Sequence, residues 1–498
     1  MNEKVFKHIE CGETLPQNNI HAVSVSMPKL QDVIDYEEGH GEAIEKIKSG
    51  YPRFILHPYL KILASYIKKK YSVCDDYEVV LLSSQNAVDI VSDKYYIHNK
   101  IEIDEPFGVI LVQNGTSQLQ KVLMFIQHVG SNLSSRLAED YLFDIGLIDK
   151  KHEEIIEKSE NAKDIVTSTL AKAYNQPQDN IALAPSGMNA IYSVVKGLRS
   201  IQRRNGRDIL VQLGWLYLDT MNIVKHHYEQ TKIFPDIKNL DLLEEYFAVY
   251  GFKISGIITE IPTNPLLQSV DLPRLKTLCK KYNIPLIIDA TLSTPYNLDL
   301  KEYADILVES LTKFACGNAD VLMGAVILNE KSKLAYMNVE FFKHCDKVYI
   351  KDIQRLAYEI KDYEKRVKII SKNTKILVEY FKTCSYIDKI YYCLSSENEK
   401  NYKEVMIDEN SYTGLISLTF KKPFDEIYDN LNFSKGPSLG TEFTLLMPYT
   451  YLAHYDYMKS ESGLNYLNKI GLPKDLLRIS VGVENIDDII NEFKRLED

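Results

Sequence analysis

Between about residues 179 and 330 the chain alternates short apolar runs with helical stretches, and this rhythm limits its fold more than any other feature. SGMNAIYSVVKGLRSIQRR reads as a helix and DILVQLGW as a strand; GIITEIP, IPLIIDATL, DILVESL and VLMGAVIL read as further buried strands. Runs this short and this uniformly apolar suit strands covered on both faces. DLPRLKTLCKKYN, with Asp271 as its N-cap, supplies a helix between two of them. The pattern predicts an α/β fold on a mostly parallel sheet, with ligands beyond the carboxyl ends of the strands.

The rest of the 498 residues divides around this core. A chain of this length exceeds one ordinary domain of roughly 100 to 200 residues, so two or three units are expected. Residues 1–59 mix turn signals with one short charged helix; Gly39 and Gly41 do not make a dinucleotide loop, because Ile44 replaces the third glycine and no strand leads in. Residues 60–178 combine helical pieces (YLKILASYIKKKY, EEIIEKSENAKDIVTSTLAKAY) with strand-like runs (YEVVLLSS, FGVILVQ) and contain no chemical constellation. The core unit is expected over 179–360. A long amphipathic helix, about 352–383, leads into a smaller α+β unit over 361–498.

Several partner classes are excluded. The net charge is −10 and no block of Lys and Arg forms a footprint for nucleic acid. No run approaches the roughly 20 apolar residues of a membrane helix, and the start has no signal or transit character, so a cytoplasmic location is expected. The seven scattered cysteines have no metal-ligand spacing and read as reduced structural thiols.

Chemistry concentrates around Lys313 in ESLTKFACGNADVLMG, just past the strand DILVESL. An isolated lysine is ordinarily a solvated surface charge. Here Asp289 ends the strand PLIID 24 residues upstream, and a carboxylate at a buried strand end needs a cation. A lysine that bonds an aldehyde and an aspartate that pairs with a protonated ring nitrogen are what pyridoxal phosphate requires. Ser186, Gly187 and Met188 open a helix whose first N–H groups can bind a phosphate, although Ser186 also reads as a plain N-cap. Ser310 and Thr312 add hydroxyls beside the lysine; Tyr217 can stack on a ring, or simply sit in the core as most of the 34 tyrosines do. Asn264 occupies a Pro-pinned turn after GIITEIP.

The strings ITEIPTNPLLQSVDL, IPLIIDATLSTPYN, ADILVESLTKFACGNADVLMG and LRISVGVEN, in that order, resemble the Cys/Met-metabolism family of pyridoxal-phosphate enzymes. HAVSVSMPKLQDVIDYEEG, YPRF and KGPSLGTEFTLLMPYTYLAHY further resemble its long, fungal-type cystathionine γ-synthases. The resemblance implies an aspartate aminotransferase-like major domain plus a smaller C-terminal domain. It implies Lys313 as cofactor lysine and proton shuttle, Asp289 on the pyridine nitrogen and Asn264 near the ring hydroxyl. Tyr217 would lie over the ring, and it or Tyr51 would assist proton transfer, with Thr291 beside Tyr217 and Gly187, Met188, Ser310 and Thr312 on the phosphate. Tyr51 and Arg53 match an arm that reaches the neighbouring subunit's phosphate, so a homodimer with shared sites is implied, possibly paired into a tetramer. Arg478 matches the fork that binds the substrate α-carboxylate, with Ser438 in the same pocket.

The sequence departs from the family in three places. The usual Tyr-Gly-Gly-Thr reads Tyr217-Leu218-Asp219-Thr220, Gly-His-Ser-Asp-Val reads Gly317-Asn318-Ala319-Asp320-Val321, and Phe443 stands where many members that handle cystathionine carry Glu. The activity implied is γ-replacement on an O-acylhomoserine with cysteine to give cystathionine, with sulfhydrylation, γ-elimination or a non-catalytic fold as alternatives. Arg53 and Ser186 lie 133 residues apart, whereas members of usual size keep these motifs close, so 60–178 reads as an insertion of open role.

Overall fold

A computed structural model describes residues 6–47, 55–103, 105–395 and 399–497. Its centre is a seven-stranded sheet in the order Ile181–Ala184, Gly324–Leu328, Ile306–Ser310, Leu286–Asp289, Ile254–Glu260, Ile209–Leu213, Gln230–Phe234. Every pairing is parallel except the two made by Gly324–Leu328. Side chains of a strand alternate between faces, and here both faces are buried. Val211, Ile257, Ile288 and Leu307 enter the core on one side, whereas Leu210, Ile258, Ile287 and Val308 enter the core on the other. That double burial explains why the runs are continuously apolar rather than alternating. Gln230–Phe234 is the exposed edge, and its QTKIF sequence carries polar residues accordingly.

The helix expected after Ser186 runs Gly187–Arg203, and Asp271 caps Leu272–Tyr282 by accepting the Arg274 N–H at 3.0 Å. Two expected helices differ. The stretch 153–160 is not helical: the Arg136 and Arg355 guanidinium groups draw out Glu154 and the Ile155 carbonyl, which a helix would have to leave behind. The long 352–383 helix divides into Ile350–Glu359, a 3-10 turn at Ile360–Asp362, and Tyr363–Phe381; Arg366 satisfies the Glu359 carbonyl freed at the break. Beyond it lies a five-stranded sheet, Ile387–Tyr391, Leu415–Phe420, Leu477–Ser480, Leu445–Pro448, Ser434–Lys435.

The stretch after residue 57 builds its own antiparallel sheet, Tyr77–Leu82, Gly108–Gln113 and Lys100–Ile101, with helices Pro58–Lys70, Gln85–Tyr95, Ser117–Val129 and Ser135–Asp144. The same two-residue alternation joins it to the centre. Val80, Leu82, Ile110 and Val112 share a core with Ile191, Val195 and Ile223, whereas Val79, Leu81 and Val109 pack with Leu60, Leu63 and Leu142. The helix Ala162–Tyr174 instead packs in the other core of the central sheet. Among the described residues no helix is long and apolar enough to cross a membrane.

Candidate active site

The carboxyl ends of the central strands meet in one cavity. Glu260, Asp289 and Ser310 end their strands there, and Lys313 follows three residues after Ser310. Of the residues singled out from sequence, Gly187, Met188, Tyr217, Asn264, Asp289, Thr291, Ser310, Lys313, Ser438 and Arg478 all line it. Thr312 does not: its hydroxyl is buried and accepts the Met323 N–H at 3.2 Å. Tyr51 and Arg53 lie outside the described residues.

One end of the cavity is an anion cup. Ser186 caps Gly187–Arg203 through its hydroxyl, which accepts the Asn189 N–H at 3.0 Å, and Gly187 and Met188 of that first turn line the cavity, where a helix start suits an anion. A Cβ on Gly187 would stand 2.7 Å from the Ser310 Cβ, so glycine is required for the Ser310 hydroxyl to sit against this helix start.

Deeper in, Asp289 is held by the Thr291 N–H at 2.9 Å, and Thr291 Oγ1 in turn accepts the Ser310 N–H at 2.9 Å. Burial raises the Asp289 carboxyl above the usual aspartate range, with the Thr291 hydrogen bonds offsetting only part of it. Glu260, opposite Asp289 in the sheet register, is raised well above its ordinary value by burial and then by the Asp289 charge. Glu260 accepts the Tyr217 N–H at 2.5 Å and so fixes where that ring starts. Two buried carboxyls short of a cation are what a protonated pyridine nitrogen would relieve.

At the other end Ser438 joins the lysine to the arginine. Lys313 Nζ donates to Ser438 Oγ at 2.9 Å, and Arg478 donates to the Ser438 carbonyl at 2.5 Å and to Asn264 Oδ1 at 3.2 Å. Ser438 adopts φ 93°, a conformation non-glycine residues rarely take, and these two bonds hold it there. Arg478 is 4% exposed and stacks over Tyr449; among the described residues its hydrogen-bond acceptors are all neutral oxygens and its buried Nε has no hydrogen-bond partner. Burial pushes its guanidinium down to about 10. An uncompensated buried guanidinium is costly unless a carboxylate arrives to meet it.

Sequence reading missed Glu260, Tyr449, Met447, Gln127 and Asn132, all of which line the cavity, and marked Asp219, which also lines it, only as a departure from the family motif. Glu260 carried the same signal as Asp289, a carboxylate ending a buried strand. Gln127 and Asn132 carried none, because they arrive from a segment distant in sequence. They come in through Gly130, whose φ of 65° ends Ser117–Val129 and whose missing Cβ would lie 1.9 Å from Ser186 Oγ; that hydroxyl bonds the Gly130 carbonyl at 3.1 Å.

An anion cup, a buried carboxyl at a strand end and a lysine between them fit pyridoxal phosphate. The fold and this donor set define a pyridoxal-phosphate-dependent enzyme of the aspartate aminotransferase-like class. Residues 158–496 match the family described as Cys/Met metabolism PLP-dependent enzymes, and the chain belongs to it. It is 34% identical over 484 residues to the L-2-amino-4-chloropent-4-enoate dechlorinase/desaturase of Streptantibioticus cattleyicolor, spanning 96% of each chain. It is 26% identical to cystathionine gamma-synthase of Neurospora crassa, over 98% of this chain and 97% of that one. Among solved structures it is similar in fold to cystathionine gamma synthase from Xanthomonas oryzae pv. oryzae, with TM-score 0.58, 18% identity and coverage of 70% of this chain and 88% of that one. A putative O-acetylhomoserine (thiol)-lyase from Campylobacter jejuni, containing N'-pyridoxyl-lysine-5'-monophosphate, gives TM-score 0.59 at 20% identity, covering 73% and 92%.

Proposed function

We propose that this enzyme breaks a bond between Cγ and a heteroatom of an amino-acid substrate. The observation that carries the reading is the bridge through Ser438, which sets the Lys313 amine and the carboxylate-short Arg478 guanidinium on either side of one residue. The Arg478 fork then holds the α-carboxylate and presents the α-carbon to Lys313. Asp289 would meet the pyridine nitrogen, Asn264 the ring hydroxyl, and Gly187, Met188 and Ser310 the phosphate. When bound, the cofactor supplies the electron sink that makes the α-proton removable. Lys313 in its neutral form takes that proton, and Tyr217 serves as a second proton carrier. Tyr51 and Arg53, outside the described residues, are the family motif's candidates for a partner subunit's phosphate, and a dimer would then be the smallest active unit.

In the replacement form, the Cγ–O bond of an O-acylhomoserine breaks with its electron pair on the acyloxy group. Cysteine sulfur bonds to Cγ, and the thiol proton leaves with the released acid, giving cystathionine. The relatives named cystathionine gamma-synthase support this form. The dechlorinase/desaturase relative favours a second form, γ-elimination, in which no thiol is needed. O-acetylhomoserine plus water would then give 2-oxobutanoate, ammonia and acetate. Incubation of the holoenzyme with O-acetylhomoserine, with and without cysteine, distinguishes them: cystathionine marks replacement, 2-oxobutanoate independent of cysteine marks elimination. Neither product, with every γ-substituted donor tried, refutes the γ-position reading.

A further inference from the structure

The segment that reads from sequence as an insertion of open role forms part of the cavity wall. Gln127 in the last turn of Ser117–Val129, Gly130 just past its end, and Asn132 all line the cavity, as do Ser186, Gly187 and Met188. The junction between the two groups is close. The Ser186 hydroxyl donates to the Gly130 carbonyl at 3.1 Å, and a Cβ on Gly130 would stand 1.9 Å from that hydroxyl oxygen and 3.1 Å from the Met188 Cβ. Asn189, in the same first turn, donates to the Val129 carbonyl at 3.2 Å and accepts the Asp346 N–H at 2.9 Å. From the other side, Asn132 bridges to Leu82 through its backbone, and the Ser131 carbonyl accepts the Ser83 N–H at 3.1 Å. Residues 129–132 are therefore clamped between the helix start and the three-stranded sheet.

This packing leaves two amides unused. Gln127 and Asn132 are half-buried, and among the described residues neither side chain has a hydrogen-bond partner, whereas the Asn189 amide is engaged through both its nitrogen and its oxygen. Partial burial removes water from an amide, and a ligand oxygen restores the lost bond. The anion cup is short of other donors. Among the described residues lining the cavity the cations are Lys313 and Arg478, and both bond Ser438 at the opposite end. A phosphate at the helix start is thus met by N–H groups and the Ser310 hydroxyl, and bonds from neutral donors to an anion are stronger than those between neutral groups.

Resting on the reading of the helix start as the phosphate cup, we propose that the inserted segment completes the cofactor's phosphate site from within the same chain, with the side-chain amides of Asn132 and Gln127 donating to the phosphate oxygens. The test titrates the apoprotein with pyridoxal 5'-phosphate and with pyridoxal, which lacks the phosphate, and follows the visible absorption band. Wild type should prefer the phosphorylated form. Asn132→Ala and Gln127→Ala should each reduce that preference about tenfold by weakening pyridoxal 5'-phosphate alone, the effect of one lost hydrogen bond to a charged group. Asn132→Asp and Gln127→Glu preserve shape, so they remain informative if an alanine variant does not fold. They set a carboxylate against the phosphate, and their loss should be the larger. A residue whose variants keep the wild-type preference is removed from the site. If both residues' variants keep it, or if the two ligands weaken in parallel, the proposal is overturned. A wild type that binds pyridoxal as tightly as its phosphate ends the cup reading itself, and the proposal with it.

Discussion

Replacing Arg136 by Met should destabilise the protein by about 3–5 kcal/mol, the cost of breaking a buried ion pair from one side. Arg136 is 1% exposed and makes two 2.7 Å bonds to Glu154, one of 2.8 Å to the Asp320 carbonyl and one of 3.1 Å to Asp352. Burial alone would lower its pKa, but Glu154, Asp352 and Asp320 together outweigh burial and raise it. Methionine fills similar space, so packing is largely retained and the loss is electrostatic. Asp320 keeps Arg355 and Asn19 as partners, so Asp352 is the group most exposed to the loss. Burial already raises the Asp352 carboxyl, with Arg136 offsetting part of it. Without the guanidinium its folded pKa rises further above the unfolded value. The stability it contributes is therefore present at low pH and lost as pH climbs through the raised value. At 1.36 kcal/mol per pKa unit, the penalty at pH 5 should be about 1–2 kcal/mol smaller than at pH 8. Urea-unfolding midpoints of wild type and Arg136→Met at both pH values measure this. A variant within about 1 kcal/mol of wild type, or a penalty independent of pH, refutes the reasoning.

Glu309, buried and hydrogen-bonded by the Tyr174 and Tyr363 hydroxyls, is pushed up to about 7 by burial. Its stabilisation is complete below the unfolded value near 4.3 and is lost as pH rises through about 7, roughly 4 kcal/mol in all. The melting temperature of Glu309→Gln relative to wild type should accordingly rise from pH 5 to pH 8, and a flat difference would contradict the assignment. Arg478→Lys keeps the charge but not the fork, so kcat/KM should fall roughly 100-fold, mainly through KM; an unchanged KM would remove the carboxylate role. Lys313→Ala should abolish the visible absorption band of the lysine-bound cofactor, and a variant that retains the band would place the cofactor on another lysine.

The central sheet was readable because its strands are buried on both faces, which leaves continuous apolar runs such as LIID and ILVES. Lys313, Asp289, Ser310 and Gly187 were readable for the same reason, since strand ends and a helix start fall at fixed places once the sheet is known. The stretch 153–160 was not. EEIIEKSE has helical periodicity, and tertiary bonds, from the Arg136 and Arg355 guanidinium groups and between the Glu157 N–H and the Gln354 carbonyl, hold it out of a helix. Thr312 stood as near to Lys313 as Ser310 did, but a hydroxyl's direction follows local backbone, and the Met323 N–H claims it. Gln127 and Asn132 depend on how a helix distant in sequence packs beside the site, which no local pattern encodes.

Arg136 and Asp320, joined in the fold, lie 184 positions apart in the chain. The strands of the three-stranded sheet all fall between residues 77 and 113, so that unit can close while later residues are still being synthesised. The loop after Lys313 follows it in the chain and sets against it, with Asn19 and the Ala319 carbonyl's bond from Val23 tying the loop to the amino-terminal stretch as well. In the folded protein residues 58–144 thus form part of the seat of the lysine loop. Excising them to shorten the chain would leave Asp320 and Asp352 without Arg136, and Ser186 without Gly130.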